Sequence, residues 1–335
     1  MSFVGIIANP ASGKDIRRLV AYGSVFDNQE KVRIVRRVIL GLLAVGVERI
    51  CYMPDYFGIV PRALDPLKIK IPVFPVDFRT MATQDDSTEA GRIMAESGVD
   101  CIVTLGGDGT NRAVIKGGVS APVLPISTGT NNVFPSMVEG TLAGLAAGLV
   151  ANKLVPLEEA SIHSTMLQVW KEGQPVDVAL VDAGVYDDQF IGSRAIWDMD
   201  KVRQIFLNRA EPFSIGLSAI GGLIQSVKAE EPYGLCLTMG PNGREVLAPV
   251  APGMIKNIAL SSVETMTLDQ DWPIIIKPSI LALDGEREVE VNKGQQASVR
   301  IIKNGPKVVD VAMTMTSALK NGALVQNTSI PSVVS

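Results

Sequence analysis

The run Gly106-Gly-Asp-Gly-Thr110 sets one carboxylate among three glycines and a hydroxyl, directly after the apolar stretch Cys101-Ile-Val-Thr-Leu105. Gly106, Gly107 and Gly109 have no side chains to keep phosphate oxygens away from backbone N–H groups. Thr110, Asn111 and Arg112 open the next segment as a helix opens, with Asn111–Lys116 the expected helix, so an anion held here also faces the positive end of a helix dipole. Asp108 is the odd member. A carboxylate beside a polyphosphate is repelled unless it accepts a hydroxyl proton or holds Mg²⁺. That makes Asp108 the candidate general base of a phosphoryl transfer, a reaction in which positioning and charge stabilisation do most of the catalysis. The plain alternative is a tight strand-to-helix turn, although a turn needs only one or two of these residues.

Three other stretches have related chemistry. Asn9-Pro-x-Ser12-Gly13 follows the apolar run Val4–Ala8, and Asn9, Ser12 and Gly13 offer neutral donors to nucleotide phosphates or, more simply, an Asn-Pro turn. Lys14 does not complete a Walker A loop, because residue 15 is Asp and no glycine stands five residues before Gly13. Thr128, Gly129, Thr130 and Asn131 follow the strand-like Val123–Ile126 and present hydroxyl, backbone and amide groups, or form an ordinary β-α loop. Asp284 and Glu286 flank Gly285, a spacing that puts two carboxylates on one side of an extended segment near a metal or an acceptor hydroxyl. Asp284-Gly285 is equally a hairpin turn, with Glu286-Arg-Glu288 running on as a charged edge strand. Arg194 is a candidate phosphate ligand or a surface helix cation.

GGDGT after an apolar strand resembles the signature of the NAD kinase and diacylglycerol/sphingoid lipid kinase superfamily. Asn9–Gly13 is similar to the NPxSG opening of the lipid-kinase branch, Thr128–Asn132 to the superfamily's GTGND loop, and Asp284–Glu286 to its DGE element. Asn132 stands where the acid usually sits. Ser214–Gly222 resembles the STAYxLSAGG segment of NAD kinases, with Gly216 near the place of a stacking aromatic. The combination is most similar to the acetoin-catabolism protein X subgroup, which is classed with ATP-NAD kinases.

The resemblance implies an ATP-dependent, Mg²⁺-requiring small-molecule kinase acting on a hydroxyl acceptor, with NAD the first to test. ATP then lies between two domains, its phosphates at Gly106–Thr110 and Asn9–Gly13. A lipid kinase and a non-catalytic nucleotide-binding regulatory protein linked to acetoin catabolism are the rivals.

These residues need a scaffold, and 335 residues with 47% hydrophobic content can build two domains. Short apolar runs at Phe3–Ala8, Arg49–Met53, Ile71–Val76, Cys101–Leu105 and Val123–Ile126 alternate with amphipathic stretches at Lys31–Val45 and Gln84–Ser97, the pattern of β-α-β units. Thr83 with Asp86 marks a helix start and Ser97-Gly98 a stop. In such sheets ligands sit at the carboxyl ends of the strands, where these loops fall. A helix over Thr141–Ala151 and the turn near Pro156 read as the exit from this domain.

Thr165–Trp170, Val176–Val185, Gly234–Met239, Ile255–Leu260, Trp272–Ile276 and Gln296–Ile302 then read as strands. One helical interruption, Arg194–Asn208, directs Trp197, Val202 and Ile205 to the core. The expected fold is an α/β, Rossmann-like, NAD kinase-like domain over 1–156, with a β-rich sandwich domain over 157–311. By the resemblance, 312–335, with a helix over Ala312–Gln326, return to the first domain.

Lys and Arg number 31 against 35 Asp and Glu, a net charge of −4, which argues against nonspecific nucleic-acid binding. Cys51, Cys101 and Cys236 form no disulfide framework, and a reducing, cytoplasmic setting is expected. The runs Gly117–Val138 and Pro212–Val227 are too polar or too short to span a bilayer, so no integral membrane association is expected. With His163 the only histidine, His-based metal clusters are excluded and acid–base work falls to carboxylates. Self-association is left open.

Overall fold

The computed structural model describes residues 1–13, 22–23, 26–188 and 198–325. Lys14, Arg194 and Trp197 lie outside them. The first half alternates β1 (Phe3–Ala8), α1 (Asn28–Ala44), β2 (Arg49–Tyr52), α2 (Ile59–Leu64), β3 (Val73–Pro75), α3 (Asp85–Glu96), β4 (Cys101–Gly106), α4 (Asp108–Lys116), β5 (Val123–Ser127) and α5 (Gly140–Ala151). The strands form a parallel sheet in the order β3-β2-β1-β4-β5. Every residue of β1, β4 and β5 is buried, as expected of a parallel sheet covered on both faces.

Asp27 caps α1, its carboxylate accepting from the Glu30 N–H at 2.7 Å. The stripe Val35, Val38, Ile39 and Leu42 turns α1 to the sheet. α1 crosses α5 at very short range because glycines line the crossing. A β-carbon at Gly144 would lie 2.1 Å from the Val38 carbonyl oxygen, and one at Gly41 2.5 Å from that of Thr141.

The chain continues through α6 (Leu157–Ala160), β6 (Ser161–His163), β7 (Met166–Lys171), β8 (Gln174–Ala179), β9 (Asp182–Tyr186), a 3-10 turn at Met199–Lys201, β10 (Val202–Leu207) and α7 (Leu217–Gly222). After these come β11 (Tyr233–Ala251), β12 (Met254–Thr267), β13 (Trp272–Pro273), β14 (Ser279–Leu283), β15 (Glu286–Val291), β16 (Ala297–Ile302), β17 (Lys307–Val309) and α8 (Val311–Asn321). A six-stranded sheet, β12-β11-β10-β9-β14-β15, faces a four-stranded one, β13-β16-β7-β8. Leu167, Val169, Val299 and Ile301 of the smaller sheet meet Val185, Phe206, Cys236 and Leu281 of the larger, which makes the core of a β-sandwich.

The division of the chain differs from the expected one at both crossings. β17 pairs in parallel with β5, and β6 pairs antiparallel with β17, so 161–163 and 307–309 belong to the first sheet rather than to the β-rich unit. Three-residue strands carry too little periodicity to be read locally. α8 returns to the first unit, Thr314 Oγ1 reaching the Ala160 carbonyl at 3.3 Å.

The helix expected over Arg194–Asn208 is, within the described residues, the 3-10 turn and β10. Val202 and Ile205 are buried as expected, but β10 lies between β9 and β11 and is buried on both faces, so it lacks the alternation that marks a strand. Val176–Val185 is not one strand either. It breaks at Leu180-Val181 and divides between the two sheets. Among the described residues, no helix is long and apolar enough to cross a membrane.

Candidate active site

The loops leaving β1, β2, β4 and β5, with the segment between β3 and α3, surround one cavity of about 830 Å³. Of the residues proposed from sequence, Asn9, Ser12, Gly13, Gly107, Asp108, Gly109, Thr110, Thr128, Gly129, Thr130, Asn131, Asp284 and Glu286 all line it. Gly106 does not. It ends β4, and a β-carbon there would lie 2.4 Å from Cβ of Thr110, so its role is to let Thr110 pack. At Gly107 φ is −98°, an ordinary backbone conformation, and an added β-carbon would come within 2.7 Å of Asn132 Oδ1. This glycine admits a neighbouring side chain and is not needed for a left-handed turn.

α4 begins at Asp108, three residues earlier than expected, because Gly107 in extended conformation serves as its cap. Asp108 therefore stands in the first helical turn. Its carboxylate accepts from Val133 N–H at 3.1 and 3.2 Å and from Phe134 N–H at 2.8 Å, which fixes its orientation at the cavity edge. The peptide that donates is itself held from the β-rich unit. Arg209, just past β10, donates to the Val133 carbonyl at 2.9 Å, with its guanidinium 5.7 Å from the Phe134 ring centroid. Burial pulls the Arg209 pKa below its usual value, against the nearby Glu211, Asp108 and Glu230.

Asp284 and Gly285 form the two-residue turn between β14 and β15, with φ of 51° and 83°. The hairpin and the site thus coincide. Asp284 is 4% exposed. Its carboxylate accepts from Leu180 N–H at 2.8 and 3.1 Å, Val181 N–H at 2.8 Å and Asp182 N–H at 3.2 Å, which is why the chain breaks between β8 and β9. Burial pushes its pKa up to about 7, with Asp108 adding to the rise while Arg112 and the Leu180 and Val181 amides oppose it.

Glu286 projects over the helix start: a β-carbon at Gly109 would be 2.6 Å from Glu286 Oε1. Behind it Arg112, 1% exposed, bonds Asp177 Oδ1 at 3.1 Å and Glu288 Oε1 at 2.9 Å, with Glu286 Oε2 at 3.9 Å. Burial lowers the Arg112 pKa, but Asp177, Asp284, Glu288 and Glu286 together raise it above its usual value.

The opposite wall is a network of neutral donors. Asn9 Nδ2 donates to Thr110 Oγ1 at 3.0 Å, Asn9 Oδ1 accepts from Ala11 N–H at 2.8 Å, and the Ser12 and Thr128 hydroxyls lie 3.0 Å apart. Asn132 Nδ2 donates to Ser127 Oγ at 2.8 Å, so in place of the usual acid it braces its own loop. The sequence reading missed Lys31, Asp55, Asp86 and Arg209. Lys31 is fully buried beneath the Asn9–Ser12 loop. Asp55 accepts from the N–H groups of Phe57, Gly58 and Ile59. Asp86, instead of completing a box with Thr83, reaches back to the Met81 and Ala82 N–H groups at 2.8 and 2.9 Å.

No residue of Ser214–Gly222 lines the cavity, and Gly216 serves a φ of 82° at the start of α7. His163 is exposed, with Nε2 3.1 Å from the Gly305 carbonyl.

Residues 4–154 match the ATP-NAD kinase N-terminal domain family, and residues 165–304 match the acetoin catabolism protein X C-terminal domain family. Acetoin catabolism protein X of Cupriavidus necator is 35% identical over 329 residues, covering 94% of this chain and 92% of that protein. Among solved structures, yeast NADH kinase complexed with NADH superposes with a TM-score of 0.48 at 14% identity, over 100% of this chain and 90% of that one. A candidate diacylglycerol kinase from Bacillus anthracis gives 0.46 at 14% identity, over 92% and 97%.

Proposed function

Since this chain belongs to the acetoin catabolism protein X family and begins with a domain of the ATP-NAD kinase type, we propose that it is an ATP-dependent kinase that phosphorylates a hydroxyl group, NAD being the first acceptor to test. One observation carries this reading. Asp108, the only carboxylate in the glycine loop, is held by two backbone N–H groups at the edge of a cavity whose other walls are the Asn9–Gly13 and Thr128–Asn132 donor loops. Phosphates set against those loops and the start of α4 leave Asp108 facing the acceptor hydroxyl, whose proton it takes as the γ-phosphoryl group is transferred.

The carboxylates fit a metal that arrives on the nucleotide. No group of three or more ligating side chains gathers among the described residues, and the Asp284 oxygens already accept backbone N–H bonds. Mg²⁺ is commonly held by one or two carboxylates together with substrate phosphates, and Glu286, which lines the cavity over the start of α4, would be the carboxylate to hold it. When bound, it neutralises charge on the transferring phosphoryl group. Met53, Pro54, Tyr56, Met81 and Pro252 give the cavity an apolar wall suited to a flat ring.

The test is transfer of labelled phosphate from ATP to NAD, nucleosides, diols and lipids, with wild type and Asp108→Asn side by side. Wild type is expected to label NAD or another small hydroxyl compound, and Asp108→Asn to lose roughly 10²–10⁴-fold in kcat, the range a positioned base supplies. Its ATP affinity should stay within a few-fold. A fully active Asp108→Asn protein sinks the mechanism, label in lipid alone moves the assignment to lipid kinases, and tight nucleotide binding without transfer makes the protein regulatory.

A further inference from the structure

Lys31 is 0% exposed, and a buried ammonium is costly unless its protons find acceptors. Nζ donates to the Ser12 carbonyl at 2.6 Å, the Asn9 carbonyl at 2.8 Å and Asn28 Oδ1 at 3.1 Å, with the Pro10 carbonyl at 3.4 Å. The three backbone acceptors all belong to the loop that lines the cavity. Peptide planarity gives this arrangement a direction. With the Ser12 carbonyl turned onto the ammonium, the Gly13 N–H of the same peptide unit points away from it, on a residue that lines the cavity.

We propose that Lys31 is the positioning cation of an anion subsite at Asn9–Gly13: it turns the loop's donors toward the phosphate groups of a nucleoside di- or triphosphate and attracts those groups from behind the loop. The identity of the ligand rests on the kinase reading above. The anion preference rests on Lys31 itself. Asp55, on the cavity wall, is raised by burial, with its three amide bonds and the Lys31 charge opposing that rise. A charge behind a low-dielectric wall is also screened less by salt than one in open solvent. Among the described residues the lining contains no Lys or Arg side chain.

Two variants test this without depending on one fold outcome. Lys31→Gln removes the charge but keeps two N–H donors for the carbonyls. Asn28→Asp, almost isosteric and 3.1 Å from Nζ, neutralises the field while Lys31 stays in place. Calorimetric titration with adenosine, AMP, ADP, ATP and tripolyphosphate should show losses that grow with ligand charge. Adenosine should be nearly unchanged, ADP about tenfold weaker and ATP and tripolyphosphate weaker still, with Lys31→Arg retaining most of the affinity.

Equal losses for adenosine and ATP would reduce Lys31 to a structural brace, and unchanged ATP binding in Asn28→Asp or Lys31→Gln overturns the proposal. Charge-graded losses without phosphate transfer by wild type leave it standing and sink the kinase reading. Transfer at full rate with unchanged ATP KM in both variants does the reverse.

Discussion

Asp284 and Glu286 stand two residues apart, yet their surroundings give them different work. Asp284 is buried and binds three consecutive amides of the β8–β9 connection, whereas the Glu286 side chain is 32% exposed. Asp284→Asn should therefore lower the melting temperature while Glu286→Gln lowers turnover and leaves melting nearly unchanged. The Asp284 effect should also depend on pH. Its pKa is raised from 3.8 to about 7 in the fold, so between those values the folded chain holds a proton that the unfolded chain has released. The stability this contributes is complete below the lower value and is lost as pH rises through about 7. In thermal melts the advantage of wild type over Asp284→Asn should shrink across that interval, and an advantage that grows with pH would contradict the assignment. Asp108, Asn9, Ser12 and Thr128 were legible in the sequence because each sits on a loop whose glycines and turn residues announce it. Lys31 and Arg209 were not, because each acts on the backbone of a distant loop. The only trace of Lys31 was a charged residue at the head of the stripe continued by Val35, Val38 and Leu42.

Helices with local caps and stop signals read well from sequence, and so did β1, β4 and β5, short buried runs bounded by turn residues and alternating with amphipathic helices. α1, α3 and α5 fall within a few residues of their expected bounds, since caps and stop signals are local. β10, buried on both faces, showed no alternation and passed for a helix. β8 and β9 looked like one run, because the bonds that part them come from Asp284, far along the chain. The α1–α5 crossing gives an element-level test. A methyl group at Gly144 would press on the Val38 backbone, which cannot swing aside as a side chain does. Gly144→Ala should cost about 1–3 kcal/mol despite alanine's better helix propensity. Denaturant unfolding measures this directly, and a neutral or stabilising effect would mean that the two helices lie further apart.

The two units are joined behind the cavity by Arg112, which stands on α4 of the first unit and bonds Asp177 on β8 and Glu288 on β15 of the second. Removing it takes the guanidinium from Glu288 and leaves the buried Asp177 with Lys116 as its remaining cation. Arg112→Met should cost about 3–5 kcal/mol, the range for breaking a buried ion pair from one side, and should weaken acceptor use because Asp284 and Glu286 share that joint. Unfolding followed by calorimetry checks the first part and steady-state kinetics the second; loss of neither would show the joint to be held elsewhere. The return of β17 to β5 also bears on how the chain is made. As a ribosome releases the first five strands, the open edge of β5 has no partner, and the strand that covers it is not synthesised until the whole sandwich has emerged. The half of the cavity built on the first sheet thus matures last, together with the carboxyl-terminal helix, and a nascent chain arrested before Lys307 presents an uncovered strand edge to chaperones and to other nascent chains.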